Sequence, residues 1–163
     1  MKDKMKVILG EHINQIWDII DRDFHFRPSI DVDTASFAFP VHAACFRLKS
    51  VWDDRQEAIV NGIMMDLFPE EALYALDWQH DCFLFSPKEQ IPPNYRYYDK
   101  ERKCQVFFPT YYPDGDYHFF VDTNFRAGLF GHPWQEKIYV IGSRLICAIK
   151  EKQQELDLEI LQK

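Results

Sequence analysis

A chain of 163 residues falls within the usual size of one domain and can bury roughly 70% of the surface its unfolded form exposes, so one core suffices. Hydrophobic residues make up 47% and aromatics 16%, with 14 Phe, 8 Tyr and 4 Trp, enough large side chains to fill that core without disulfides or a structural metal. A net charge of −7 without any Lys/Arg cluster leaves no basic footprint for displacing counterions, so neither nucleic acid nor an anionic membrane is an expected partner.

The start, Met1 to Lys6, is basic, but Val7-Ile8-Leu9 is too short for the apolar region of a signal peptide. Nothing approaches the ~20 apolar residues of a membrane span. Cys45, Cys82, Cys104 and Cys147 lie far apart, without Cys-x-x-Cys spacing and beside apolar neighbours such as Phe46, Phe83 and Ile146. They read as buried free thiols in a reducing cytoplasm.

In chain order, Ile13, Ile16, Trp17, Ile20 and Phe24 recur at three- and four-residue spacing, the signature of one helix face. Arg27-Pro28 bars its continuation, and 30–41 read as a loop. Residues 42–49 form a first strand. Asp53 with Gln56 three positions on fits a capping box for a second helix; Ile59, Ile63 and Leu67, with Val60, Met64 and Phe68 beside them, make its apolar face, and Pro69 stops it. Leu73 to Phe85, rich in rings and free of Gly and Pro, reads as one long strand, and 86–100 as an exposed loop. Gln105 to Phe108 is a short strand. Pro113-Asp114-Gly115 is a turn in which proline presets φ and glycine supplies a positive one. Asp116 to Asp122 and Phe125 to Phe130 pair across a reversal at Thr123-Asn124, Lys137 to Ile141 follows, and Gly142-Ser143 opens a closing helix through Leu145, Ile146 and Ile149. Residues 151–163 read as a charged, frayed extension. The expectation is α+β: a single two-layer domain over 1–163, with a mainly antiparallel sheet packed against an N-terminal, a middle and a C-terminal helix.

Four blocks carry a resemblance: Phe26-Arg27-Pro28-Ser29, the run from Leu73 to Cys82, Pro113-Asp114-Gly115-Asp116-Tyr117, and Phe130-Gly131-His132-Pro133-Trp134. In this order, and spanning most of the chain, they resemble the bacterial family known as domain of unknown function 2716. The resemblance implies a bacterial, one-domain, cytoplasmic protein. It brings no activity, substrate or catalytic residue with it.

Alternation along the long strand sends Tyr74, Leu76, Trp78, His80, Cys82 and Leu84 to one face and Asp77, Gln79, Asp81 and Phe83 to the other. The polar row reads either as the solvated side of a one-sided sheet or as carboxylates able to hold a cation or exchange protons. On the later strand Tyr117, Phe119 and Val121 face the core, and Asp116, His118, Phe120 and Asp122 face away. Were the two strands neighbours, Asp77, Asp81, Asp116 and His118 would converge. Pro133 holds His132 extended, so Gly131-His132-Pro133-Trp134 is either a rigid ligand-contacting loop or a core-capping corner. No spacing matches a zinc-protease, P-loop or serine-elbow pattern. No cofactor or resident metal is therefore expected.

Two readings follow. The first is a non-catalytic binding module, immunity-like in its acidity, engaging another protein or a small ligand through a surface that includes Asp77, Trp78, His80, Asp81, Tyr112, Asp116, His118, His132 and Trp134. The second is a small, metal-assisted enzyme built on Asp77, Asp81, Asp116 and the nearby histidines.

Overall fold

A computed structural model describes residues 4–162. Ten strands and three helices follow in the order β1 (Met5–Ile8), α1 (Gly10–Asp23), β2 (Ala43–Leu48), α2 (Asp54–Leu67), β3 (Leu73–Asp77), β4 (Cys82–Phe85), β5 (Arg96–Asp99), β6 (Cys104–Phe107), β7 (His118–Asp122), β8 (Gly128–His132), β9 (Lys137–Ile141), α3 (Ser143–Glu151) and β10 (Leu158–Gln162). Eight strands form one antiparallel sheet in the order β1-β4-β3-β7-β8-β9-β2-β10, and β5 with β6 forms a separate two-stranded ribbon. The α+β architecture with an antiparallel sheet against three helices is as expected.

Local chemistry explains the helices. The Asp53 side chain accepts the N–H groups of Arg55 and Gln56, and the Gln56 side chain accepts that of Asp53 in return, so the capping box forms in full. At the other end the Phe68 N–H still reaches the Met64 carbonyl before Pro69 removes the next donor. In α1, Ile16 and Ile20 are buried as the spacing predicts.

Apolar residues fill both faces of the large sheet. Leu73, Ala75, Phe83, Phe120 and Leu129 pack with Val60 and Met64 of α2 and Leu145, Ile146 and Ile149 of α3. Leu76, Phe119, Val121 and Phe130 pack on the opposite side with Ile16 and Ile20 of α1. The segment after α1 completes that second core. Phe24, Phe26 and Phe37 lie 5.1–5.2 Å, ring centre to ring centre, from Phe130, Phe119 and Tyr139 respectively; residues 30–41 form the expected, mostly exposed loop, from which Ser36, Phe37 and Phe39 reach into this core.

Four expectations change. The thirteen-residue strand is a hairpin, β3 and β4, broken over residues 78–81. The reversal before β8 spans 123–127. Asp122 organises it by accepting the N–H groups of Asn124, Arg126 and Ala127, and Phe125 adopts a positive φ inside the turn instead of starting a strand. The predicted 86–100 loop contains a short 3-10 turn and β5. The stretch after α3 does not end as a frayed extension: the Leu156 carbonyl accepts the Trp52 indole N–H, and β10 pairs with β2 at the sheet edge. All four cysteines are free; Cys45 and Cys82 are buried, whereas Cys104 is half-buried and Cys147 exposed. Among the described residues no helix is long and apolar enough to cross a membrane.

Candidate functional site

Asp77 is the last residue of β3 and lies directly opposite His118, the first of β7. Beyond it the strand cannot continue. The Trp78 N–H still reaches the Tyr117 carbonyl, but the Gln79 N–H turns inward to Asp116 Oδ2 at 2.9 Å and Asp77 Oδ1 at 3.3 Å. The chain folds back over its own carboxylates, and His80 lands above them. His80 Nδ1 lies 3.1 Å from Asp77 Oδ1 and 3.5 Å from Asp116 Oδ2. On the other side, His118 Nε2 lies 3.3 Å from Asp77 Oδ2. The two carboxylates and His118 are buried; the His80 ring is half exposed.

Protonation states follow from the partners. His118 Nδ1 faces two carbonyl oxygens, those of Thr110 (2.9 Å) and Tyr112 (3.0 Å), and carbonyls only accept, so this nitrogen carries a proton. Burial alone would lower the affinity of His118 for its second proton, but the Asp77 carboxylate outweighs it and raises the ring above its ordinary value. Burial would likewise raise Asp77, yet hydrogen bonds from His118, Asp116 and His80 hold it well below the usual carboxylate range. Asp116 moves the other way: desolvation and the neighbouring Asp77 push it up to about 6. His80 loses some affinity by burial and regains more from Asp77 and Asp116, for a net rise. Two adjacent carboxylates are thus driven apart in acidity, the pattern that divides charge-holding from proton-exchanging roles.

The cluster opens on a cleft of about 210 Å³ whose further walls include Asn94, Phe107, Thr110 and Asp114. One atom each from Asp77, His80 and Asp116 falls within 4.8 Å of the others, close enough for these three residues to share a metal ion.

The other predicted site residues go elsewhere. Asp81 leaves the cluster and forms a two-pronged pair with Arg102 at 2.9 and 3.1 Å. Trp78, 40% exposed, stands edge-on to Phe26 and Tyr117 on the α1 side. Tyr112 packs edge-on against Trp52 on the α2 side, so Trp78 and Tyr112 do not share one aromatic surface. Trp134 is 46% exposed. His132 is fully buried in β8, on the α1 face of the sheet, and does not meet the Asp77–Asp81 block. Its Nδ1 accepts the Gln135 N–H, so Nε2 carries the proton and donates toward Ser36 Oγ (3.0 Å) and Tyr117 Oη (3.2 Å). A histidine that donates to a serine cannot act as that serine's base, and the pair is a corner brace. Of the polar row Asp77, Gln79 and Asp81, Asp77 is buried, Gln79 exposed and Asp81 half-buried, and on β7 His118 and Asp122 are buried, so the row is not a uniformly solvated face.

Sequence reasoning passed over Thr110 and Glu57. Thr110 contributes a backbone carbonyl, which leaves no residue-type signal. Glu57 left one, since it falls three and seven residues before Val60 and Met64, in line with the buried side of α2.

The chain belongs to the family described as protein of unknown function (DUF2716), whose model matches residues 9–146. It is similar to the uncharacterized protein YxiI of Bacillus subtilis (strain 168), at 34% identity over 102 residues that cover 63% of this chain and 58% of that relative. No solved structure matches.

Proposed function

We propose that in this member of the family Asp77, His80 and Asp116 form a site for a divalent metal ion, and that the ion acts on a small polar substrate held in the adjoining cleft. The observation that carries the reading is the separation of the three donor atoms. Metal–ligand bonds of about 2.0–2.2 Å place neighbouring ligands roughly 3.0–3.5 Å apart, and His80 Nδ1 stands 3.1 and 3.5 Å from the two carboxylate oxygens. Each carboxylate offers one oxygen to the shared point and has the other anchored, Asp77 by His118 and Asp116 by the Tyr117 N–H at 2.7 Å, as outer-shell partners orient ligands in metal sites. Three protein ligands leave a position facing the cleft for water or substrate, where a bound ion lowers the pKa of water and polarises an acceptor oxygen.

Calorimetric titration of the chelator-treated protein with Zn²⁺ and Mn²⁺ tests this. One ion is expected per chain, with affinity falling at least roughly tenfold in His80→Ala and Asp116→Asn. Absence of binding, or binding that neither variant weakens, refutes it.

A non-catalytic interaction module is the second reading, supported by the exposure of Trp78 and Trp134. It requires that Trp78→Ala and Trp134→Ala abolish partner capture while the Asp77 cluster variants do not. Four unpaired cysteines support a reducing, cytoplasmic setting for either reading.

A further inference from the structure

Glu57 lies in the first turn of α2, is only 5% exposed, and has no cationic side chain paired with it among the described residues. Its carboxylate points at the segment leading into the Pro113 turn. Oε1 accepts the Tyr111 N–H at 2.8 Å and Oε2 the Tyr112 N–H at 3.0 Å. One helical turn on, Asn61 Oδ1 accepts the Tyr111 hydroxyl at 2.6 Å, and the Asn61 amide is itself held by the Pro87 carbonyl at 2.9 Å. The segment is therefore clamped to α2 through consecutive amides.

The same segment presents its carbonyls on the other side. Thr110 and Tyr112 supply the two oxygens that accept from His118 Nδ1, and the Thr110 hydroxyl donates to the Tyr112 carbonyl at 2.6 Å. His118 in turn meets Asp77 Oδ2. An unbroken chain of hydrogen bonds thus runs from α2 through the Thr110–Tyr111 peptide group, whose N–H meets Glu57 and whose carbonyl meets His118, and through the His118 ring to the Asp77 cluster. Burial makes a carboxylate costly at this position, and Glu57 is pushed up to about 7. Only a group with two acceptor atoms can serve both amides; Gln has the same shape but one acceptor.

We infer that Glu57 is a positioning residue: by fixing residues 110–112 it fixes the orientation of His118 and, through it, the Asp77 carboxylate. Its consequence for metal binding rests on the metal reading above; the relay itself does not. The test is Glu57→Gln, read in two ways. In the metal-free protein, the His118 Nδ1 proton and the Tyr111 and Tyr112 amide protons are followed by NMR hydrogen exchange; each should exchange roughly tenfold faster or more in the variant. In the Co²⁺-loaded protein, affinity should fall roughly tenfold or more, with a changed visible absorption spectrum reporting a reoriented ligand. Arg102→Ala, which breaks an ion pair outside the relay, should leave the His118 proton and the Co²⁺ spectrum as in wild type. If Glu57→Gln does not fold, Asn61→Ala loosens the same segment and should speed exchange at Tyr111, Tyr112 and His118. Unchanged exchange at His118 in a folded Glu57→Gln or Asn61→Ala protein overturns the relay. Loss of metal binding in the wild type, with the exchange result intact, overturns the metal reading alone. A response to Arg102→Ala equal to that of Glu57→Gln reduces Glu57 to general stabilisation and also overturns the inference.

Discussion

His132 should act as an acid-sensitive weak point of the fold. Its ring is fully buried, with Nε2 donating to the Ser36 and Tyr117 hydroxyls and Nδ1 accepting from Gln135, so a second proton has nowhere to go without breaking the Gln135 contact. Burial, helped by the nearby Lys137 charge, lowers its pKa from 6.5 to about 4. The unfolded chain protonates this histidine as pH falls through 6.5, whereas the folded chain resists until about 4. Stability contributed by His132 is therefore complete above pH 6.5 and lost progressively between 6.5 and 4, to a total of about 3 kcal/mol. Other groups titrate in or near that window with the opposite sign: Glu57 at about 7 and Asp116 at about 6 destabilise the fold as pH rises. A single acid-denaturation curve would blur them. The assay is urea denaturation from pH 7.5 to 3.5 on wild type and His132→Gln, whose amide can donate to the hydroxyls and accept from Gln135 but cannot charge. The difference between the two stability curves should shrink or reverse by about 3 kcal/mol on descending from pH 6.5 to 4. A difference that stays flat across that range refutes the reasoning.

Two further outcomes separate structural from site residues. A Cβ placed on Gly131 would lie 2.7 Å from Pro113 Cβ and 2.9 Å from its Cγ, so Gly131→Ala must displace the Pro113 turn and should cost about 1–3 kcal/mol in urea denaturation. Asp81→Asn removes the charge from a partly exposed pair with Arg102 and should cost about 1 kcal/mol while leaving Zn²⁺ affinity unchanged by calorimetry; a loss comparable to that of Asp116→Asn would return Asp81 to the site.

Elements defined by neighbouring residues could be read directly from the chain. The α2 capping box needs only Asp53 and Gln56, and α1 declares itself by Ile16 and Ile20. The break between β3 and β4 could not be read in this way, because the group that ends the strand is Asp116, 37 residues from the Gln79 amide it captures. With no Gly or Pro in 78–81, the local pattern argues for continuation, and only the long-range carboxylate tips the backbone into a turn. The edge strands were hidden for a related reason. Met5–Ile8 is four residues long and gains its identity from pairing with β4, and β10 follows a charged stretch and is defined by its ladder to β2. The convergence of Asp77, Asp81, Asp116 and His118 was legible as a condition on β3 and β7 being neighbours, which they are, and it holds for all but Asp81, which the turn carries to Arg102. His80 was assigned to the opposite face by strand alternation, and it joins the cluster because the strand has already ended.

The two histidines of the C-terminal third show how sheet geometry sorts similar residues into different roles. His118 and Gly131 are cross-strand partners, so His132, one residue on, projects from the other face. On that face the ring-rich segment from Phe24 to Phe39 closes over the sheet, and His132 becomes a neutral brace under Phe37 and Tyr117. On the His118 face the covering segment is 110–112, which turns two carbonyls toward Nδ1 and fixes a proton there, while Nε2 faces the Asp77 carboxylate. The same residue type is thus held below its ordinary pKa on one side and above it on the other. Pro113 ties the two sides together, because the turn that presents those carbonyls also rests on Gly131, the small residue that precedes His132. The dense Pro113–Trp134 region is therefore one structural unit in which the turn supports the strand that carries the brace, and the segment leading into that turn holds the His118 ring against Asp77.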